Sequence, residues 1–302
     1  MATLDVPLTA QRETRSSIIE DQSSVTDTVL AAMQDAENPR LREVMAALVR
    51  HLHAFAREVN LTEEEFDLGI DFLNRIGQAT NDTHNEGILF SDVLGFSTLV
   101  CLINNGAGGA TETASALLGP FWRMNSPRTE NSGSIVRCET PGPDLFVDAR
   151  VVDPQGRGIE GVEVDVWQAS PVGLYENQDD TQADMNLRGK FTTDSEGRFG
   201  FRSIRPAGYP VPTHGPAGDL LRAQGRHPFR PAHLHFLAFR PGYKTLITQV
   251  FVDDDQHLET DVVFGVTRHL IGDFKKVEAG YTLDYTFVME PGEARLPTPP
   301  IK

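Results

Sequence analysis

The first third of the chain carries apolar residues at helical spacing. Between residues 41 and 59 an apolar side chain recurs every three or four positions, which places one face of an amphipathic helix at Leu41, Val44, Leu48, Leu52, Phe55 and Val59. Asn38 and Pro39 stand directly before this run and suit the N-cap and the first helical position. Thr62 and Glu65 have capping-box spacing, so a second long helix is predicted to begin at Thr62.

Two further helical segments flank this pair. Ser23 or Ser24 can cap a helix that continues through Met33. The segment from Glu86 to Ile103 is predicted to be helical throughout. The glycine-rich stretch at residues 106–109 ends the helical pattern. Residues 1–22 are polar, and we expect them to form a poorly ordered arm.

Beyond residue 117 the apolar pattern changes to alternation. Residues 145–152 and 162–167 alternate, and a turn sequence at 194–197 separates two short runs in the manner of a β-hairpin. Short strands with frequent turns predict an antiparallel β-sandwich. The predicted fold is therefore mixed α and β, with a helical N-terminal domain at residues 1–116 and a β-sandwich domain at residues 117–302.

One predicted strand carries two histidines. His233 and His235 lie two positions apart at the start of an apolar run, so their side chains point to the same face while Leu234 points to the other. Two imidazoles close together on one face form the start of a metal site. The alternative at this point is a pair of ordinary surface or core histidines.

Two tyrosines stand in loop sequences next to predicted strands. Tyr175 lies in GLYENQD and Tyr209 in the Pro- and Gly-rich GYPVPTHGP, and binding residues concentrate in such loops. Each is also explained as a packing residue whose hydroxyl is hydrogen-bonded. A phenol with a pKa near about 10 needs a strongly Lewis-acidic ion to ionise at neutral pH. Two tyrosines joined to the histidine pair would therefore indicate ferric iron.

Two more polar residues accompany the histidine strand. Arg230 lies three positions before His233, and its permanent charge can stabilise negative charge on a bound substrate. Gln249 lies within the next apolar run and can orient a ligand. A surface arginine and a glutamine at the sheet surface are the alternatives.

Other metal sites fit the sequence less well. A cupin site follows its His-x-His with a glutamate, but residues 236–240 are acid-free. A site of two histidines and one carboxylate would need an acid such as Asp253, Asp254 or Asp255, which as a consecutive run favour a solvated turn. Nucleophilic catalysis by serine or cysteine has no supporting motif.

Composition limits the partners and the location. The 302 residues carry a formal net charge of −16, which argues against a nucleic-acid partner. Cys101 and Cys138 have neither metal nor disulfide spacing, and the N-terminal residues lack the apolar core of a signal peptide. The most apolar segment is too short for a membrane span. We expect a cytoplasmic protein that engages no membrane.

Several of these stretches together resemble the intradiol ring-cleaving catechol dioxygenases. The resemblance runs through LLGPF at 117–121, VDVWQAS and GLYENQD at 164–179, NLRGKFTTD at 186–194, GYPVPTHGP at 208–216 and HPFRPAHLHF at 227–236. It implies one Fe(III) per subunit, held by Tyr175, Tyr209, His233 and His235. It also implies that Tyr209 leaves the iron and takes a substrate proton, while Arg230 and Gln249 act on substrate charge.

Within that family the chain is most similar to the hydroxyquinol 1,2-dioxygenases. Leu89 and Asp92 in ILFSDVLG match a Leu-x-x-Asp pattern, and Asp92 is implied to accept the third substrate hydroxyl. A helix-surface acid is the alternative for Asp92. The implied pocket residues are Leu89, Asp92, Leu117, Gly119, Pro120, Phe121, Val211, Pro212, Arg230 and Val263. Catechol or chlorocatechol 1,2-dioxygenase activity stays open, as does a sandwich-type binding module with a structural metal.

The resemblance also concerns the helical portion. It implies a homodimer whose N-terminal helices pack across the two-fold axis, with phospholipid tails held at that interface. The apolar face from Leu41 to Val59 suits this role, and covering the sandwich is its alternative use.

Overall fold

The computed structural model describes residues 18–82, 84–105 and 112–300. Most of the predicted N-terminal arm and the glycines at 106–109 lie outside the described residues. The helices are α1 (Val25–Ala32), α2 (Pro39–Glu58), α3 (Glu63–Ala79), α4 (Glu86–Val93), α5 (Phe96–Asn105) and α6 (Pro216–Ala223).

The long N-terminal helices begin where their capping residues predict. Asn38 Oδ1 accepts hydrogen bonds from the backbone N–H groups of Arg40 and Leu41, both at 3.0 Å. The capping box before α3 also forms, because the Glu65 carboxylate accepts from the Thr62 N–H at 2.9 Å and the Thr62 hydroxyl accepts from the Glu65 N–H at 3.2 Å. Ser24 precedes α1 but makes no capping hydrogen bond to it.

The segment predicted as one helix from Glu86 to Ile103 is two helices. The chain bends by 80° between α4 and α5. Gly95 lies in the break with a φ of +69°, a left-handed conformation that glycine adopts without steric cost. Of the described helices, none alone is long and apolar enough to cross a membrane, and α4 with α5 meets that test only as a bent pair.

Most strands in the described part of the chain belong to two five-stranded sheets. The strands are β1 (Gly133–Ser134), β2 (Asp144–Val152), β3 (Glu163–Trp167), β4 (Arg188–Thr192), β5 (Arg198–Ile204), β6 (Tyr209–Pro210), β7 (Phe229–Arg230), β8 (His233–Phe239), β9 (Leu246–Val252), β10 (Ile271–Gly272), β11 (Phe274–Val277) and β12 (Gly280–Val288). One sheet has the order β1-β5-β2-β12-β11 and the other β10-β9-β8-β3-β4. Strands β6 and β7 form a separate ribbon.

The two sheets pack face to face around a common apolar core. Residues of the first sheet, such as Val147 and Phe201, share this core with Val164 and Phe236 of the second. The predicted mixed α and β fold with a sandwich is confirmed. Most strand pairs are antiparallel as predicted, but β12 runs parallel to β2 from Tyr281 to Val288, and the short strands β1 and β10 run parallel to β5 and β9.

The predicted hairpin at residues 194–197 is wrong. A tight turn does form there, and Gly197 N–H donates to Asp194 O at 2.9 Å. However, β4 pairs with β3 and β5 pairs with β2, so the turn carries the chain from one sheet to the other. Phe191 and Phe199 on either side of the turn are both buried in the core between the sheets, which favours this crossing over local pairing.

The structure divides into two compact units, residues 1–71 and 72–302. Helices α4 and α5 thus belong to the same unit as the sandwich. The domain boundary expected at residue 116 stays a prediction.

Candidate metal centre

Four donor atoms from distant parts of the chain converge at one buried point. The Tyr175 hydroxyl oxygen lies 3.2 Å from that of Tyr209 and 3.1 Å from His235 Nε2. His235 Nε2 in turn lies 3.1 Å from His233 Nε2. None of the four residues is more than 6% exposed. Ligand atoms that each bind one small metal ion at about 2.0–2.1 Å are spaced by similar distances.

The histidines are placed by strand β8. Leu234 and Phe236 point into the core between the sheets, so His233 and His235 share the opposite face, as their spacing predicts. The strand is fixed on both sides, because His235 is paired with Trp167 of β3 and with Gln249 of β9.

The proton on His233 is also fixed. His233 Nδ1 lies 2.7 Å from the Pro231 carbonyl oxygen, to which only a protonated nitrogen can donate. Nε2 therefore keeps its lone pair toward the converging donors, the arrangement in which a histidine binds a metal.

The tyrosines reach the site from two connections. Tyr175 follows β3 and precedes a short 3-10 helix at Glu176–Gln178, whose Gln178 side chain accepts from the Tyr175 N–H at 3.0 Å. Tyr209 lies in the β6–β7 ribbon directly opposite Arg230. This short ribbon explains why Tyr209 and Arg230 flank the same histidines.

Aromatic packing holds the donor residues in place. The Trp167 indole stacks on the His235 ring at 4.7 Å with an interplanar angle of 10°. The Phe121 ring lies 4.5 Å from that of Tyr175. Gly119 packs against the His235 ring: its φ is +74°, and a Cβ there would lie 3.2 Å from His235 Cε1. Glycine is therefore the residue that this close approach tolerates.

Burial controls the charge of these groups. It raises the pKa of Tyr175 well above 10, and the neighbouring Tyr209 adds to that rise. It also raises the pKa of Tyr209, although the charge of Arg230 opposes it. Burial, with the charge of Arg230, lowers the pKa of His233 to about 3. The imidazoles are thus neutral, and the phenols ionise only beside a strong positive charge.

This donor set suits ferric iron by its chemistry. Phenolate oxygens are hard donors that require a strongly Lewis-acidic ion, and two neutral imidazoles complete a mixed oxygen and nitrogen set. Over the described ranges, no group of three or more His, Cys, Asp or Glu side chains is arranged to hold a metal. A metal at this point therefore depends on the tyrosine oxygens.

Arg230 lies beside the donor cluster and is buried. Its Nη1 is 3.2 Å from His233 Nε2, and its Nη2 donates to Gln249 Oε1 at 3.0 Å. Gln249 is itself fixed, because its amide nitrogen donates to the Leu117 carbonyl at 2.6 Å. The two polar residues singled out from the sequence are thus brought to the site and to each other.

The structure adds charged residues that the sequence did not point to. Asp261 pairs with Arg230 through both carboxylate oxygens. Behind Tyr175, the fully buried Arg188 donates from Nε to Glu176 Oε2 at 2.7 Å, and its guanidinium lies 5.9 Å from the Tyr175 ring centre. The sequence feature that could have drawn attention to Asp261 is its position directly before the apolar residues 262–264.

The expected pocket residues come together beside this cluster. Leu89, Val211 and Val263 are buried in one apolar cluster, against which Leu117 also packs. Phe121 belongs to the neighbouring cluster with both tyrosines. Pro120 and Pro212 are half-buried next to these residues in the chain.

Asp92 is a buried carboxylate in this region rather than a helix-surface acid. It is 6% exposed, and burial raises its pKa to about 6, against the opposing effects of a Ser97 hydrogen bond and the charge of Arg230. A cavity of about 510 Å³ lies nearby; among its lining residues are Ser91, Ser97 and Leu117, but none of the four donors.

Two family models match consecutive parts of the chain. A family model described as "Dioxygenase" matches residues 117–291, and one described as "Catechol dioxygenase N terminus" matches residues 38–111.

Individual relatives cover most of the chain. A hydroxyquinol 1,2-dioxygenase from a Rhizobium species is 44% identical, over 86% of this chain and 87% of the relative. A catechol 1,2-dioxygenase from Candida albicans is 41% identical, over 86% and 89%. The solved structure of hydroxyquinol 1,2-dioxygenase from Pseudomonas putida is similar with a TM-score of 0.83 and 38% identity, and covers 90% of this chain and 99% of that one.

Proposed function

Since this chain belongs to the intradiol ring-cleaving dioxygenases, we propose that it opens the aromatic ring of hydroxyquinol, benzene-1,2,4-triol, between its vicinal hydroxyl groups. Both atoms of O2 enter the product, 3-hydroxy-cis,cis-muconate, which tautomerises to maleylacetate. The observation that carries the proposal is the convergence of two phenol oxygens and two imidazole nitrogens within 3.2 Å of their neighbours.

The family uses non-haem iron. We propose the oxidation state, the number of ions and the four ligand residues for this chain. One Fe(III) per subunit would be held by Tyr175, Tyr209, His233 and His235. When bound, it supplies the Lewis acidity that ionises the diol and the redox chemistry by which the diolate reacts with O2. This assignment is supported by the lone pair on His233 Nε2 and by the need of the buried phenols for a strong positive charge.

Tyr209 is the residue that takes a substrate proton. Its hydroxyl oxygen lies between the Tyr175 oxygen and the charge of Arg230, so its phenolate form is stabilised there more than burial alone would allow. A phenolate that accepts a proton from a substrate hydroxyl acts as a general base. Its backbone is paired with that of Arg230 in the β6–β7 ribbon, which holds it beside the donor cluster.

Arg230 stabilises the negative charge that develops on the substrate ring. It is buried, permanently charged and in contact with the histidine side of the cluster. Charge stabilisation is strong where water is excluded and the donor is already oriented. Gln249 orients Arg230 through its Oε1 and ties it to the backbone of Leu117 in the pocket wall.

Asp92 selects the triol. Its carboxylate accepts a hydrogen bond from the third hydroxyl, while Leu89, Val211 and Val263 contact the ring. Asp92 already accepts from Ser97, but catechol lacks the third hydroxyl and leaves a remaining acceptor position of this buried carboxylate unfilled. That costs free energy, so catechol is disfavoured. The 41% identity to a catechol 1,2-dioxygenase keeps catechol as the second candidate substrate.

The N-terminal helices are proposed to form a homodimer with a second copy of this chain. The apolar face of α2 supports this, because Leu48, Leu52 and Phe55 are each about half exposed in a single chain. Phospholipid tails at that interface, and a cytoplasmic location, are further proposals. Gel filtration and mass spectrometry of an organic extract test the first two.

Oxygen uptake with a panel of diols tests the function. The iron-loaded protein is given hydroxyquinol, catechol and a chlorocatechol in turn. Faster uptake with hydroxyquinol supports the proposal, and faster uptake with catechol overturns the reading of Asp92. A binding module with a structural metal would instead contain zinc and consume no oxygen with any diol.

A further inference from the structure

Asp261 holds the guanidinium of Arg230 by one edge. Its Oδ1 accepts from Arg230 Nε at 3.2 Å and its Oδ2 from Nη2 at 3.1 Å. A bidentate pair of this kind fixes the plane of the guanidinium as well as its position. With Nε and Nη2 directed to Asp261, Nη1 is left pointing toward His233, 3.2 Å from its Nε2.

We propose that Asp261 is a positioning residue for the ring-cleavage reaction and acts through Arg230. It turns the Nη1 side of the guanidinium toward the substrate ring and keeps it there during turnover. This inference rests on the function proposed above. It concerns a residue whose side-chain hydrogen bonds go to Arg230 and to the backbone of Val263 and Gly265, and which on our assignment does not contact the substrate.

Asp261 is itself immobilised by the backbone. Its carboxylate accepts from the N–H groups of Val263 at 3.3 Å and Gly265 at 3.0 Å, and its carbonyl accepts from the Phe264 N–H at 3.0 Å. The resulting turn is joined to α5, because the Thr98 hydroxyl donates to the Val263 carbonyl at 3.0 Å. The same carboxylate therefore fixes the arginine and the pocket wall at Val263.

The charge of Asp261 also makes a buried arginine tolerable. Arg230 is 4% exposed, and an uncompensated cation at that depth is strongly unfavourable. Burial alone would lower the pKa of Arg230, and Asp261 is the main group that opposes this effect. Burial would likewise raise the pKa of Asp261, but the charge of Arg230 holds it below its usual value. The two groups are thus charged together.

The test compares Asp261→Asn with a matched aspartate elsewhere. Asp153 is buried to the same degree, pairs with Arg157 at 2.7 Å and accepts from two backbone N–H groups of its turn. Asp153→Asn removes one arginine contact and two backbone contacts from a turn that contributes no residue to the donor cluster, and its arginine partner is exposed. Both variants are iron-loaded, and measured for iron content, visible spectrum, melting temperature, anaerobic hydroxyquinol binding and steady-state kinetics.

We expect both variants to keep their iron and their colour. Asp261→Asn should lose more melting temperature than Asp153→Asn, because it leaves the buried Arg230 without its counter-charge, whereas Arg157 is exposed to solvent. Only Asp261→Asn should lower kcat, by about tenfold or more, with anaerobic hydroxyquinol affinity nearly unchanged. A kcat within about twofold of the wild type, per bound iron, would overturn the proposal. Absence of oxygen uptake in the wild type would instead overturn the proposed function.

A double-mutant cycle shows whether Asp261 acts through Arg230. In an Arg230→Lys background, Asp261→Asn should have little further effect on kcat, because the bidentate contact is already lost. Full additivity of the two effects would contradict the inference. If Asp261→Asn does not fold, Asp261→Glu replaces it: the retained charge with a longer side chain should lower kcat severalfold, and an unchanged kcat would overturn the proposal.

Discussion

The hydroxyl oxygens of Tyr175 and Tyr209 lie 3.2 Å apart, although the residues are 34 positions apart in the chain. Their rings are nearly perpendicular, with an interplanar angle of 88°. Burial raises the pKa of both phenols. The two imidazoles beside these phenols are neutral. The phenols can therefore ionise here only if a cation is bound between the four donor atoms.

Replacement of Tyr209 by Phe tests the proton-accepting role. The variant keeps the ring but loses the phenol oxygen, so kcat for the preferred diol should fall by about a hundredfold or more. Its tyrosinate-to-iron absorption should weaken, since only Tyr175 is left. Steady-state oxygen uptake and visible spectroscopy measure the two effects.

Tyr243→Phe is the control for this change. Tyr243 packs against the sandwich core and contributes no donor to the cluster. Its replacement should leave both colour and kcat unchanged. A Tyr209→Phe variant with the kinetics of Tyr243→Phe would remove Tyr209 from the mechanism.

Asp92→Asn should shift substrate preference from hydroxyquinol toward catechol. Loss of a charged acceptor for a buried hydroxyl costs about 1.5–3 kcal/mol, roughly ten- to a hundredfold in relative kcat/KM. The ratio of kcat/KM for the two substrates is the measurement. Since catechol has no third hydroxyl, its own kcat/KM should change little; an unchanged ratio would show that Asp92 does not contact the substrate.

The pKa of Asp92 also predicts a pH dependence. Burial raises it to about 6, and the carboxylate must be ionised to accept the third hydroxyl well. The kcat/KM for hydroxyquinol should therefore fall as the pH drops below about 6, because this parameter reports the free enzyme. Asp92→Asn should lack this limb, and a limb that persists in the variant would assign it to another group.

The free energy of unfolding should depend on pH in the opposite sense to kcat/KM, because of the same carboxyl group of Asp92. The pKa is raised on folding, so the protonated form contributes stability that is present below the unfolded pKa near 3.8 and is lost as the pH rises through about 6. At pH 8 the ionised Asp92 costs on the order of 3 kcal/mol, and Asp92→Asn should be the more stable protein. Denaturant unfolding at pH 4 and pH 8 measures the difference, which should shrink at the lower pH.

If the apolar face of α2 forms the dimer interface, a charged side chain placed on that face should dissociate the dimer. Leu52 is 54% exposed, so Leu52→Glu should not disturb the fold of one chain but should place a charge in the proposed interface. Its apparent mass by gel filtration should drop to that of a monomer. Arg50→Glu, on the opposite side of the helix, should elute as the wild type does; equal elution of all three proteins would argue against this interface.

The sequence predicted those parts of the fold that depend on neighbours in the chain. Asn38 and Pro39 act on the next few residues, so the start of α2 was predictable. The hairpin at residues 194–197 was predicted wrongly, because a turn sequence does not reveal that its two strands enter different sheets. The bend at Gly95 was missed because the apolar pattern continues across it.

At the candidate site, the predictable part was the strand geometry and the unpredictable part was the pairing of charges. Two residues separated by one position on a strand share a face, which placed His233 and His235 together. Asp261 lies 31 positions from Arg230, and their contact depends on the β6–β7 ribbon and on the turn after residue 261. Neither the ribbon nor the turn has a local sequence pattern from which the pairing of Asp261 with Arg230 could be predicted.

The visible absorption spectrum of the purified protein, recorded together with its iron content, tests the central claim most directly. With Tyr175 and Tyr209 on ferric iron, one iron per chain should be accompanied by a broad red-purple charge-transfer band, and anaerobic addition of hydroxyquinol should change that band. A protein that contains a full complement of iron and is colourless would contradict the four-residue centre.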